Sequence, residues 1–177
     1  MKKRAFLLLG LVLMGTAGMY AQSLFVTTER EAKSGNKVSQ FNLGLYYADG
    51  IGVDQDSAKA IYWWRKAASQ NNRIAQCNIG LCYAEGTGVA QDDKQAVQWY
   101  RKSAEQGYAD ACYDLGRAYW LGKGVPQDDK QAEYWLRLAA EKGYDMAWRI
   151  LSEMGVIEGV WGTSAELADP EPIKERK

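Results

Sequence analysis

The sequence predicts an all-α protein, a solenoid of stacked antiparallel helix pairs. One unit returns every 36 residues: L-G-L-Y-Y-A-D-G-I-G-V-D-Q-D from Leu43, I-G-L-C-Y-A-E-G-T-G-V-A-Q-D from Ile79, and L-G-R-A-Y-W-L-G-K-G-V-P-Q-D from Leu115. A fixed period in the 20–50 range marks a repeat array. Within each unit apolar residues recur at spacings of three and four, as in Leu43, Tyr46 and Tyr47, which is helical periodicity. Glycines at Gly50, Gly86 and Gly122 follow the periodic run, where a helix ends in the left-handed conformation.

The chain opens on Lys2, Lys3 and Arg4, then an apolar run over residues 5–14 and small residues after it. That is the pattern of an export signal, and the run is short for a bilayer span. Residues 1–21 are read as the signal, with cleavage after Ala21 and an uncleaved anchor as the alternative. No Cys follows the run, so no lipoprotein anchor is expected. Residues 22–36 read as the second half of a repeat, a short capping helix.

Three full repeats follow over residues 37–72, 73–108 and 109–144. Their first helices are expected over 37–48, 73–84 and 109–120. A second glycine (Gly52, Gly88, Gly124) gives a tight loop, Val53, Val89 and Val125 turn back to the core, and Pro126 stiffens the third loop. Second helices start at Asp56, Asp92 and Asp128, whose carboxylates suit the first-turn amides and the dipole. Trp63, Trp99 and Trp135 fall on the inward face; Trp64 and Tyr100 beside them are expected half-exposed. Asn71, Gly107 and Gly143 stop these helices. Residues 145–155 read as a closing helix, with Ala147 and Leu151 in register. Residues 156–177, with Pro170, Pro172 and dense charge, read as a flexible tail.

Lys plus Arg and Asp plus Glu both number 22, with no basic stripe, which argues against nucleic acid. Removal of residues 1–21 takes three basic residues and leaves a net charge of −3. There is no His, which excludes Ser-His-Asp and Cys-His catalysis and His-containing zinc sites. No metal or cofactor site is expected. Of three cysteines, Cys82 occupies a small core slot. Cys77 and Cys112 lie at neighbouring slots of adjacent helices, so a bridge is possible, although adjacent helices usually stand too far apart for one.

Repeat three carries Ala111, Leu115, Gly116, Tyr119, Gly122, Gly124, Val125, Asp128, Ala132, Trp135, Ala139, Ala140 and Gly143. This pattern resembles the Sel1-like repeat, a relative of the tetratricopeptide repeat. Ser39, Ile79, Ser103 and Asn71 are departures, all at packing positions. The resemblance implies a right-handed superhelix and an adaptor or scaffold role, often in envelope or host-facing processes. Some exported relatives have been labelled β-lactamases or penicillin-binding.

Helix-wheel placement at 100° per residue sets Ser39, Leu43 and Tyr47 against the second helix. The opposite, concave face is then Phe41, Leu45 and Asp49 in repeat one, Cys77, Leu81 and Glu85 in repeat two, and Tyr113, Arg117 and Trp120 in repeat three. An apolar face where a solvated helix should be polar points to a groove for a protein or peptide segment. Packing between repeats is the competing explanation for Phe41, Cys77 and Tyr113. The Arg65–Lys66 and Arg101–Lys102 pairs read as solvated convex surface.

The second reading is a cell-wall protein, either a β-lactamase-like enzyme or a peptidoglycan binder; for the enzyme, Ser34-Gly35-Asn36-Lys37 has the S-x-x-K spacing but lacks companion S-D-N and K-T-G motifs. A carbohydrate-binding envelope protein is a third possibility. The expectation is an exported, periplasmic or secreted scaffold that binds protein or peptide, without stable membrane insertion once the signal is removed.

Overall fold

The computed structural model describes residues 2–157, with side chains from Gly18 onward; the tail beyond Ile157 lies outside the described residues. Eight helices follow one another: α1 Lys2–Lys33, α2 Lys37–Asp49, α3 Ser57–Ser69, α4 Arg73–Glu85, α5 Asp93–Ala104, α6 Ala109–Leu121, α7 Asp129–Glu141 and α8 Met146–Glu153. No strand occurs among the described residues. Each helix packs chiefly on its chain neighbours, which is the contact pattern of a solenoid. Among the described residues no helix is long and apolar enough to cross a membrane.

The caps form where the sequence sets them. Gly50, Gly86 and Gly122 close α2, α4 and α6 in the left-handed region. The Asp56, Asp92 and Asp128 carboxylates accept from first-turn amides of α3, α5 and α7. Asn71 adopts φ 59°, the non-glycine residue with positive φ among those described.

Within each repeat a glycine of the first helix lies under a large side chain of the second. A Cβ on Gly80 would stand 2.6 Å from the Tyr100 ring, one on Gly116 would stand 2.7 Å from Leu136, and Gly44 is covered by Trp64. Trp64 and Tyr100 are therefore buried, not half-exposed as expected. The glycine removes the Cβ that would hold the second helix off, so the ring fills the seam. Trp64 Nε1 also donates to the Phe41 carbonyl at 3.3 Å.

Neighbouring repeats join through loop glycines and amide side chains. Gly52, Gly88 and Gly124 lie against the backbones of Ala21, Ser57 and Asp93, positions 36 residues apart. The C-terminal part of α1 thus takes the place of a second helix. It is continuous with the helix that runs back to Lys2, rather than a separate short segment. Gln40 donates to the Ala32 carbonyl and Gln76 to the Ala68 carbonyl, both at 3.2 Å. Gln70 and Gln106 donate to the side-chain oxygens of Gln40 and Gln76. At the third junction Cys112 occupies the glutamine's place, with its Sγ 3.7 Å from the Ala104 carbonyl. At the far end Ala147 and Leu151 of α8 are buried in register with Ala111 and Leu115, and Ser152 stands where the repeats have glycine.

Candidate functional site

The first helices α2, α4 and α6 present one open face. With α2 turned so that Leu43, Gly44 and Tyr47 meet α3, the positions left over are Asn42, Leu45 and Asp49. Their counterparts are Asn78, Leu81 and Glu85 on α4, and Asp114, Arg117 and Leu121 on α6. Between α4 and α6 this face deepens into a recess of about 190 Å³, floored by α5. Its apolar lining includes Leu81, Val97 and Leu121, and Leu81 and Leu121 are 37% and 46% exposed. Its polar lining includes Glu85, Tyr100, Asp114 and Arg117.

Asp114 sits deep in this recess. Burial pushes its carboxyl up to about 6, Arg117 opposes the shift, and Asp110 and Glu85 add to it. Arg117 Nη1 stands 3.9 Å from the Asp114 carboxylate and its guanidinium lies over the Tyr113 ring at 5.5 Å. Burial first, then Asp114, raises the Tyr100 hydroxyl above the ordinary tyrosine range.

Of the nine residues expected on the groove, Leu81, Glu85 and Arg117 come together in this recess. Trp120 lines the next recess along, of about 250 Å³, with Asp129, Glu133 and Met154. Phe41 and Leu45 are half-buried in repeat one and Asp49 is exposed.

Cys77 and Tyr113 are buried and leave the groove. Tyr113 stacks on Tyr144 at 4.4 Å, where the next first helix begins, so its slot turns toward the following repeat and serves packing. The wheel reading was one position out: the open positions are those of Asn42, Asn78 and Asp114. Their signal was present, since each lies three residues before an expected groove residue. Leu121 was expected only at the edge of this face, and Tyr100 was expected half-exposed beside the inward tryptophans rather than on the recess floor.

The other candidates have structural places. The Ser34 hydroxyl donates to the Glu31 carbonyl at 2.7 Å in an exposed turn. Cys77, Cys82 and Cys112 are free buried thiols, and no bridge joins Cys77 to Cys112. Burial raises all three, Cys82 to about 11, which keeps them protonated and poorly nucleophilic. Arg65 donates to the Tyr83 hydroxyl at 2.6 Å and Arg101 to that of Tyr119, so these arginines strut one repeat against the next. Lys66 and Lys102 lie over the rings of Trp63 and Trp99. No group of His, Cys, Asp or Glu side chains among the described residues is arranged to hold a metal ion.

Residues 37–72, 73–108 and 109–144 each match the family profile described as Sel1 repeat. Among solved structures, the chain is similar to a protective antigen of uropathogenic Escherichia coli displaying an SLR fold, with 39% identity and a TM-score of 0.71. The match covers 72% of this chain and 27% of that one, so the chain spans about a quarter of that antigen's length. It is similar to a Sel1 repeat protein from Oxalobacter formigenes at 36% identity and a TM-score of 0.67, over 72% of this chain and 96% of that one. Helicobacter pylori cysteine rich protein B shares the fold at 23% identity and a TM-score of 0.61, over 73% and 96% of the two chains. No curated protein matches the chain.

Proposed function

We propose, from the premise that the chain belongs to the Sel1 repeat family, that it is an exported scaffold whose first-helix face binds a segment of a partner protein. Proteins of this fold are commonly protein-binding scaffolds, generally without catalysis of their own. The observation that carries the reading is the open recess between α4 and α6. Leucines exposed on facing helices, next to a few fixed polar groups, are what an extended or helical peptide requires. The Gly80–Tyr100 seam beneath it is closely packed, so the floor is pre-formed and binding orders little of the scaffold.

Export is supported by the basic start and apolar run of residues 1–21. A cut after Ala21 would fall where α1 meets Gly52 and leave the rest of the half-repeat as a cap.

The test is photo-crosslinking in intact cells from benzoylphenylalanine placed at Leu81, with Tyr134, exposed on α7, as the control position. A discrete adduct from Leu81, absent from Tyr134 and abolished by Leu121→Glu at unchanged melting temperature, is the expected result. The same adducts from both positions, or adducts indifferent to Leu121→Glu, would refute the assignment of the face.

A further inference from the structure

In the recess between α4 and α6 no donor is in place at two acceptors, Asp114 and the Tyr100 oxygen, and this specifies what the occupant supplies. The Asp114 side chain is 16% exposed and accepts no hydrogen bond from any described residue. Its cation, Arg117, stands at 3.9 Å, beyond hydrogen-bond reach, on a side chain 46% exposed. Beside it Tyr100 is 5% exposed and lines the recess, and among the described residues no hydrogen bond reaches its hydroxyl. Both groups open on the recess, where solvent is the partner left to them, and an incoming donor replaces that water. Glu85 on the facing wall is exposed, with a contact from Thr87 at 3.5 Å. Asp93 and Lys123 at the margin are opposite in sign and offset one another. Apolar walls above an acceptor-rich floor fit a long aliphatic stem ending in a cation.

We infer that the recess is a specificity pocket for one lysine or arginine side chain of the bound peptide, with Asp114 as its counter-charge and the Tyr100 hydroxyl as a second acceptor. The inference rests on the groove reading above and names the chemistry of its partner. The incoming cation replaces Arg117 at Asp114. Arg117, itself exposed and 3.9 Å away, moves to solvent at small cost, because so loose a pair contributes little. A carboxylate already desolvated pays little more on binding, so the new charge-assisted bond is retained largely as affinity.

The probe is a random twelve-residue peptide library displayed on phage and selected against the full chain, with selected peptides measured by fluorescence anisotropy. Enriched peptides are expected to carry Lys or Arg beside aliphatic residues. Asp114→Asn, the residue that repeats one and two have at this place, is expected to weaken them at least tenfold. Replacing the peptide lysine by norleucine should cost the same, and the two changes together no more than either alone, because they delete one interaction. Tyr100→Phe, which keeps the ring over Gly80, should cost about fivefold.

Peptides that bind the groove but lack a basic residue, or for which the two losses add, overturn the pocket and leave the groove standing. A selection yielding only peptides indifferent to Leu121→Glu overturns both.

Discussion

The seam inside each repeat and the groove outside it share one register and differ in what they tolerate. At the seam every repeat pairs a glycine with a larger side chain: Gly44 with Trp64, Gly80 with Tyr100, Gly116 with Leu136. In the groove the same three repeats carry Asn42, Asn78 and Asp114 at one position and Leu45, Leu81 and Arg117 at the next. Close packing fixes the first set, because a change of one methylene is felt there. The second set is less constrained, since these side chains are half-buried or exposed rather than enclosed. The scaffold is therefore uniform, while its open face differs from repeat to repeat.

The largest effect in this comparison belongs to the loop glycines. Gly124 has φ +72° and its missing Cβ would enter the backbone of Asp93, which cannot turn aside as a side chain can. Gly124→Ala combines left-handed strain with overpacking, each worth about 1–3 kcal/mol. A loss of roughly 3 kcal/mol or more in urea unfolding is expected. A loss under 1 kcal/mol would show that the repeats do not approach as closely as this.

A middle-sized effect belongs to the amide junctions. Gln76 donates to the Ala68 carbonyl and accepts from Gln106, with Gln76 itself buried. Gln76→Ala deletes two hydrogen bonds and buried packing volume, while the Ala68 carbonyl keeps the Asn71 amide and Gln106 keeps the Lys102 carbonyl, a loss of about 2 kcal/mol. Cys112→Ala, at the equivalent place, loses only a weak sulfur contact and should cost clearly less. Equal losses would mean that the amide adds nothing to stability beyond its volume.

The repeat period, the caps and the burial of Trp63 and Trp135 were legible because each is a local signal, a spacing, a glycine or an aspartate before a periodic run, whereas Trp99, expected inward with them, is half-buried. The groove was legible in part. Leu81, Glu85 and Arg117 line one recess, whereas Cys77 and Tyr113 are buried, because a wheel with no neighbouring repeat cannot tell an open face from a junction. Gln40 and Gln76 carry no mark of burial in their residue type. That no donor is in place at Asp114 was invisible for a similar reason. It depends on Tyr100 and Glu85, which come from other helices and approach only when the repeats stack.

The smallest effect on stability is the one that sharpens the comparison most. Asp114 differs from Asn42 and Asn78 by a charge, and burial makes that charge costly: its carboxyl sits near 6, against an ordinary value of 3.8. The folded state therefore binds more protons than the unfolded state between about pH 4 and pH 6, and stability falls as pH rises through that interval. The groups facing Asp114 are Arg117 and Asp110 on α6, Glu85 and Cys77 on α4, Tyr100 on α5 and Tyr144 after α7. Of these, Arg117 opposes the shift, while Asp110 and Glu85 reinforce it. Asp114→Asn should be more stable than the parent by about 1–2 kcal/mol at pH 7.5, with the gain vanishing near pH 4. Urea unfolding at the two pH values measures it. A variant less stable than the parent at pH 7.5 would show that Arg117 satisfies the carboxylate after all, and the groove would then have no unmet acceptor to offer a ligand.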